Sequence, residues 1–350
     1  MKILIIKMSS IGDIVHTFPA LLDSKKYLPD LTIDWLVDEN FIDVIKLLQY
    51  NRPSIIEKII AVPLRKIKKH VFINIINFRL KYFWGLLRQD KYDLVIDAQG
   101  LLKSAIIAKL VRANKIIGFD RDSARESWAS YFYHEKISVS KNLHAILRVR
   151  QLFAKSLNYN FAEIDLIFKR NFFPQLTELK SNNIENYIVF VHGTTWETKC
   201  WSAKYWQRLA ELMVRKNISI VVMTSNQEEQ QFADELLIHN PNIIILSNLT
   251  IMQVASVLSN ARGAVAVDTG FAHLASVMGV PVVGIYAATS MIKVGFLGDN
   301  CNNIQSKYHC SPCLSRVCLE YHTGHSTIKQ PCLQEITPEI VLAKLEEIMC

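Results

Sequence analysis

The 350-residue sequence is notable first for what it does not contain. No run of about 18 apolar residues is free of charge, which excludes a bilayer-spanning helix as read from sequence. The apolar run before Lys7 is too short for a secretory signal core, so the expectation is a cytosolic, reducing location. There the seven cysteines are expected as thiols or metal ligands rather than disulfides. No low-complexity tract and no fixed-period repeat is found, and no G-x-G-x-x-G fingerprint of a dinucleotide site.

What is present is an ordinary core-forming composition, half apolar and 21% charged, long enough for two domains. The net charge of +8 is uneven: residues 1–170 hold 28 Lys/Arg against 17 Asp/Glu, and residues 171–350 hold 12 against 15. The first half therefore faces an anionic partner, with nucleic acid, a membrane surface and a phosphorylated substrate all open on charge alone.

Apolar strands alternate with helical segments. Strands are expected at Lys2–Lys7, Thr32–Val37, Tyr92–Asp97 and Ile116–Gly118, with helices at Asp13–Lys26, Phe78–Arg88 and Leu102–Arg112. After a polar stretch at Phe172–Glu185 the pattern restarts. Strands are then expected at Tyr187–His192, Ile218–Thr224, Asn242–Leu246, Ala264–Val267 and Val282–Tyr286, with helices at Ala203–Lys216 and Glu228–His239. Thr337-Pro338 reads as the N-cap and first turn of a closing helix. The expected class is α/β, with parallel sheets covered by helices and a ligand cleft between two Rossmann-like domains, 1–175 and 176–336, followed by the closing helix 337–350.

Three strand-to-helix junctions carry candidate chemistry. Ser9-Ser10-Ile11-Gly12-Asp13 follows the first strand, where Asp13 reads either as a helix N-cap or as a reactive carboxylate. Gly193-Thr194-Thr195-Trp196-Glu197-Thr198-Lys199 places hydroxyls and an ammonium at a strand end, suited to phosphate oxygens. Asp268-Thr269-Gly270-Phe271-Ala272-His273 joins an apolar strand to a helix start, a cradle for a diphosphate or, on the plainer reading, a capped helix with a structural histidine.

Together with Tyr92–Ser104 and Ala124–Tyr133, these segments resemble, in order along nearly the whole chain, glycosyltransferase family 9, the ADP-heptose:lipopolysaccharide heptosyltransferases. Ser9–Asp13, Asp97-Ala98-Gln99-Gly100 and His144–Leu157 most resemble the members that add the first heptose to the Kdo of lipid A. The resemblance implies a GT-B architecture and an inverting transfer from ADP-heptose, with no cofactor needed for catalysis. It implies Asp13 as general base, with Lys199 at the leaving diphosphate. Thr194, Thr195, Lys199, Asp268, Thr269, Gly270 and His273 fall on donor positions, Glu228 on the ribose-binding acid and Leu249 on an adenine contact. Ser10, Gly12, Arg65, Lys66, Lys68, Arg121, Arg125 and Arg148 fall on the acceptor side, where Kdo carboxylates and lipid A phosphates need cations.

The partners so implied are ADP-heptose, Kdo-lipid A and the cytoplasmic face of the inner membrane, with no nucleic acid. Asp120-Arg121-Asp122 satisfies D-x-D but lies in the acceptor half and is not read as a metal site. Cys310-x2-Cys313-x4-Cys318-x13-Cys332 departs from the first-heptose pattern. Structural zinc or iron, free thiols and a disulfide are all open there, as are second-heptose or protein acceptors.

Overall fold

The computed structural model describes residues 1–63, 84–161, 168, 171–181 and 184–349. The chain divides into two compact units, Met1–Asp165 and Leu166–Cys350. The division falls before the polar stretch at 172–185 because that stretch bonds to the second unit. The Asn171 N–H donates to Ser259 O (3.1 Å) and Asn260 Nδ2 to Phe173 O (2.8 Å).

In the first unit six strands form one sheet in the order β3-β2-β1-β4-β5-β6. These are β1 (Lys2–Ile6), β2 (Thr32–Asp38), β3 (Lys58–Val62), β4 (Lys91–Asp97), β5 (Arg112–Phe119) and β6 (Glu135–Ile137). All neighbours run parallel, with Ile5 opposite Trp35 and Ile96 across β1. β1 is apolar throughout because both of its faces are covered, and Ile3 to Ile6 are fully buried. Each such side chain contributes on the order of 1.5–3 kcal/mol of transfer free energy. The expected first helix is two helices, α1 (Ile11–Val15) and α2 (Phe18–Tyr27). Pro19 explains the break: it lacks an N–H and is tolerated only in a helix's first turn, so the chain restarts there. The other helices of this unit used below are α3 (Ile42–Asn51), α4 (Leu102–Leu110) and α5 (Ala145–Leu157). Of the expected Phe78–Arg88 helix, 84–88 is helical and the remainder lies outside the described residues.

The second sheet repeats the plan, in the order β12-β11-β10-β7-β8-β9, again all parallel. Its strands are β7 (Tyr187–Val191), β8 (Ser219–Thr224), β9 (Ile243–Ser247), β10 (Gly263–Val267), β11 (Val282–Tyr286) and β12 (Cys301–Gln305). Around it lie α6 (Ala203–Val214), α7 (Gln227–His239), α8 (Ile251–Ser259), α9 (Gly270–Val277) and α10 (Pro338–Met349). The closing helix α10 belongs to this unit: it packs on α6, with Arg208 Nε 3.0 Å from Glu339 Oε1. No described helix is long and apolar enough to cross a membrane.

Both sheets thus have the doubly wound order, in which connections leave the central pair of strands in opposite directions. The crevice at the carboxyl ends of that pair is where such sheets bind ligands. In the first sheet the pair is β1 and β4; in the second it is β7 and β10.

Candidate active site

In the first unit the junction after β1 is built around Asp13. The Ser10 backbone lies outside the helix as the N-cap of α1, and Asp13, three residues on, returns its carboxylate to the Ser10 N–H (3.2 Å) and hydroxyl (3.4 Å). Asp13 is therefore the third helical residue and not the cap, and Gly12 is buried beside it. The other carboxylate oxygen meets Lys7 Nζ at 3.2 Å. Lys7 is 5% exposed at the end of β1, and its ammonium also donates to Ala98 O at 3.1 Å. Burial opposes the charge on Asp13, but Lys7, His16 and the Ser10 N–H outweigh it and lower its pKa to about 2. Asp13 is a carboxylate at any ordinary pH.

The end of β4 holds this junction in place. Gln99 Oε1 accepts from the Met8 and Ser9 N–H groups at 2.9 and 3.2 Å. Gly100 takes φ +64°, and Asp97 closes the turn by accepting from the Gln99 and Gly100 N–H groups. Asp97 is fully buried; its second oxygen accepts from Tyr133 Oη at 2.7 Å. Burial raises its pKa despite these donors.

Arg121 and Arg125 are exposed on the turn after β5, where Asp120 accepts from the Ser123 N–H (2.8 Å). Arg148, on the first turn of α5, donates through Nη2 to Ser123 O and lies 5.2 Å from the Phe119 ring centre. Among the described residues its Nε is buried without a partner, and burial lowers its pKa. Arg65, Lys66 and Lys68 lie outside the described residues.

In the second unit the junctions after β7 and β10 meet at Asp268. Lys199 Nζ lies 2.7 Å from Asp268 Oδ2, Thr289 Oγ1 donates to the same oxygen at 2.8 Å, and His273 Nε2 lies 3.2 Å from Oδ1. Burial works against ionisation of Asp268, yet His273 and Lys199 hold its carboxyl far below the usual range. Thr269 is the N-cap of α9 and Gly270 its first residue, so the free N–H groups of that helix open beside the cluster. His273 is 5% exposed and stands edge-on to Phe296, which makes it the orienting partner of Asp268. Thr194 is half-buried and Thr195 exposed on the loop leading to Lys199.

Glu228 is exposed in the first turn of α7. Its neighbour Glu229 was not foreseen. That side chain accepts from the Ser225 N–H and hydroxyl (2.7 and 2.8 Å) and presses on Gly193, where a Cβ would meet Glu229 Oε1 at 2.6 Å. A side chain at 193 would have to displace the Glu229 carboxylate. Leu249 is half-buried just before Thr250, the N-cap of α8.

Cys310, Cys313, Cys318 and Cys332 are free thiols. They lie near one another, and burial, reinforced by Cys310, Cys318 and Cys313, pushes Cys332 up to about 12. Among the described residues no group of three or more His, Cys, Asp or Glu side chains is arranged to hold a metal ion.

Besides Glu229, sequence reasoning missed Lys7 and Thr289. A lysine closing an otherwise buried strand, six positions before an acidic helix start, was the available signal for the first. Thr289 is brought in by topology alone.

The sequence pattern of glycosyltransferase family 9 (heptosyltransferase) matches residues 81–323. Lipopolysaccharide heptosyltransferase 1 of Pseudomonas aeruginosa is 36% identical, over 100% of this chain and 98% of its own. The protein of that name from Escherichia coli K12 is 35% identical, over 86% of this chain and 92% of its own. The solved structure of E. coli heptosyltransferase WaaC with ADP superposes with a TM-score of 0.82 at 31% identity, covering 99% of both chains. WaaC with ADP-2-deoxy-2-fluoro heptose gives 0.79 at 30% identity, again over 99% of both. The chain belongs to glycosyltransferase family 9, the heptosyltransferases.

Proposed function

We propose that this protein transfers a heptose from ADP-heptose, with inversion, to the Kdo of lipid A during assembly of the lipopolysaccharide inner core. The observation that carries this reading is full-length similarity to lipopolysaccharide heptosyltransferase 1 on a chain whose two sheet switch points hold an ionised Asp13 and a Lys199–Asp268 cluster.

In this reading Asp13 accepts the proton of the attacking acceptor hydroxyl. A carboxylate with a pKa of about 2 is a weak base, so the proton moves late. It leaves once the oxygen has begun to bond the anomeric carbon and has itself become acidic. Lys7 and the Ser10 N–H fix the carboxylate in one orientation before the acceptor arrives. On the donor side, Lys199 and the N–H groups opening α9 stabilise the charge that grows on the departing ADP. Asp268 aims Lys199, and His273 and Thr289 hold Asp268. Thr194 and Thr195 serve the diphosphate, Glu228 the ribose hydroxyls and Leu249 the adenine. Because these groups supply the stabilisation, the reading needs no catalytic cofactor.

Arg121, Arg125 and Arg148, with Arg65, Lys66 and Lys68, meet the acidic groups of the acceptor, beside Ser10 and Gly12. The protein then works peripherally on the cytoplasmic face of the inner membrane, where the basic first half is drawn to anionic lipid by about 1 kcal/mol per nearby cation. The test is an acceptor panel read by mass. Kdo-lipid A gains one heptose and an acceptor already carrying that heptose does not; the reverse preference contradicts the assignment.

A further inference from the structure

Trp196 carries two cations. Lys199 Nζ lies 4.6 Å from the indole ring centre, and the guanidinium carbon of Arg316 lies 5.2 Å from it. The loop that presents Arg316 is stitched to the same end of the second sheet. Thr198 Oγ1 donates to Ser315 O (2.6 Å), the Leu314 N–H to Ala288 O (2.8 Å) and Ser311 Oγ to Ala287 O (2.8 Å). Ala287 and Ala288 lead directly to Thr289, which holds Asp268. Arg316 is therefore fixed relative to the loop that bears Lys199.

The charges there are unequally engaged. Lys199 is neutralised by Asp268 at 2.7 Å, and Lys329 faces Glu197 at 3.4 Å. Arg316 forms no ion pair among the described residues and is exposed. An arriving diphosphate thus meets a lysine already offset by a carboxylate, with an unspent guanidinium on the neighbouring ring. A guanidinium offers a planar fork of donors that matches phosphate oxygens, and stacking on an indole orders that fork in advance.

We propose that Arg316 is a donor-binding residue that contacts the diphosphate of the ADP-sugar as a second cation beside Lys199. This deepens, and rests on, the donor-site reading above. Arg316 lies within the Cys310–Cys318 segment, so that segment forms part of the donor site.

The experiment is calorimetric titration of the full chain with ADP and with AMP, alongside steady-state kinetics. Arg316→Gln weakens ADP by about tenfold, the scale of a lost charge-assisted contact, and lowers kcat/KM for ADP-heptose. AMP affinity and melting temperature hardly change. Arg316→Lys, which keeps the charge without the fork, falls in between. Wild-type ADP affinity in Arg316→Gln overturns the proposal. Equal weakening of ADP and AMP also overturns it, because the residue then only supports Trp196. A wild-type protein that binds no ADP overturns the donor reading and this assignment together.

Discussion

The ammonium of Lys7, buried at the end of β1, stands 3.2 Å from Asp13 Oδ1. That pair joins the residue just after an apolar strand to the third residue of the helix that follows. It holds the proposed base ionised and in one orientation. Lys7→Met removes the largest influence acting against burial, so the pKa of Asp13 rises. The acid limb of kcat/KM against pH moves to higher pH in the variant, since the base works only when ionised. An unmoved limb contradicts the role of Lys7.

On the donor side, Lys199→Ala weakens ADP binding and lowers turnover together, because the same ammonium meets bound and departing diphosphate. It also leaves Asp268 with only His273 and Thr289 as partners, at a cost of about 1–3 kcal/mol in urea unfolding. Kinetics that match the wild type remove Lys199 from the diphosphate site.

Asp268 gives a pH signature in stability. Its folded pKa lies below the ordinary 3.8, so its contribution is complete above that value and is lost as pH falls toward the folded one. The melting-temperature gap between wild type and Asp268→Asn is therefore widest above about pH 4 and narrows on acidification. A gap that is constant with pH means that the carboxylate's charge is not what stabilises the cluster.

Tyr133→Phe tests the anchor behind the first junction. It strips Asp97 of the hydroxyl at 2.7 Å in a fully buried setting, so stability falls by about 1–3 kcal/mol. Loss within error of zero would show that Asp97 is satisfied by the Gln99 and Gly100 N–H groups alone.

The central strands were legible because both faces are buried and the sequence is apolar without interruption, as in Ile3–Ile6 and Val282–Tyr286. The edge strand β9 was also read, at 242–246, but β12, β6 and the first half of β5 were not. β12 reads Cys-Asn-Asn-Ile-Gln and is half-exposed, β6 spans three residues, and the first half of β5 is polar and largely exposed. A strand or half-strand that stays this exposed buries too little to need an apolar sequence, so periodicity says nothing about it. β3, Lys58–Val62, was apolar enough to be found and was overlooked. The break at Pro19 was legible in principle, since proline marks a helix start as readily as a stop.

At the site, the junction residues after β1, β7 and β10 were readable as motifs, but their partners were not. Lys199 and Asp268 are 69 positions apart, and only the doubly wound order brings the ends of β7 and β10 side by side. Arg316 on Trp196 is likewise a product of how the 310–318 segment is pinned, which no local pattern encodes.

Heptose transfer depends most directly on Asp13. Wild type and Asp13→Ala are incubated with ADP-heptose and Kdo-lipid A, the lipid product is weighed by mass spectrometry, and ADP binding is measured by calorimetry on both. The expected result is one added heptose with the wild type, transfer reduced by about a thousandfold in the variant, and nearly equal ADP affinity. Near-normal transfer by Asp13→Ala, or loss of ADP affinity in step with loss of transfer, contradicts it.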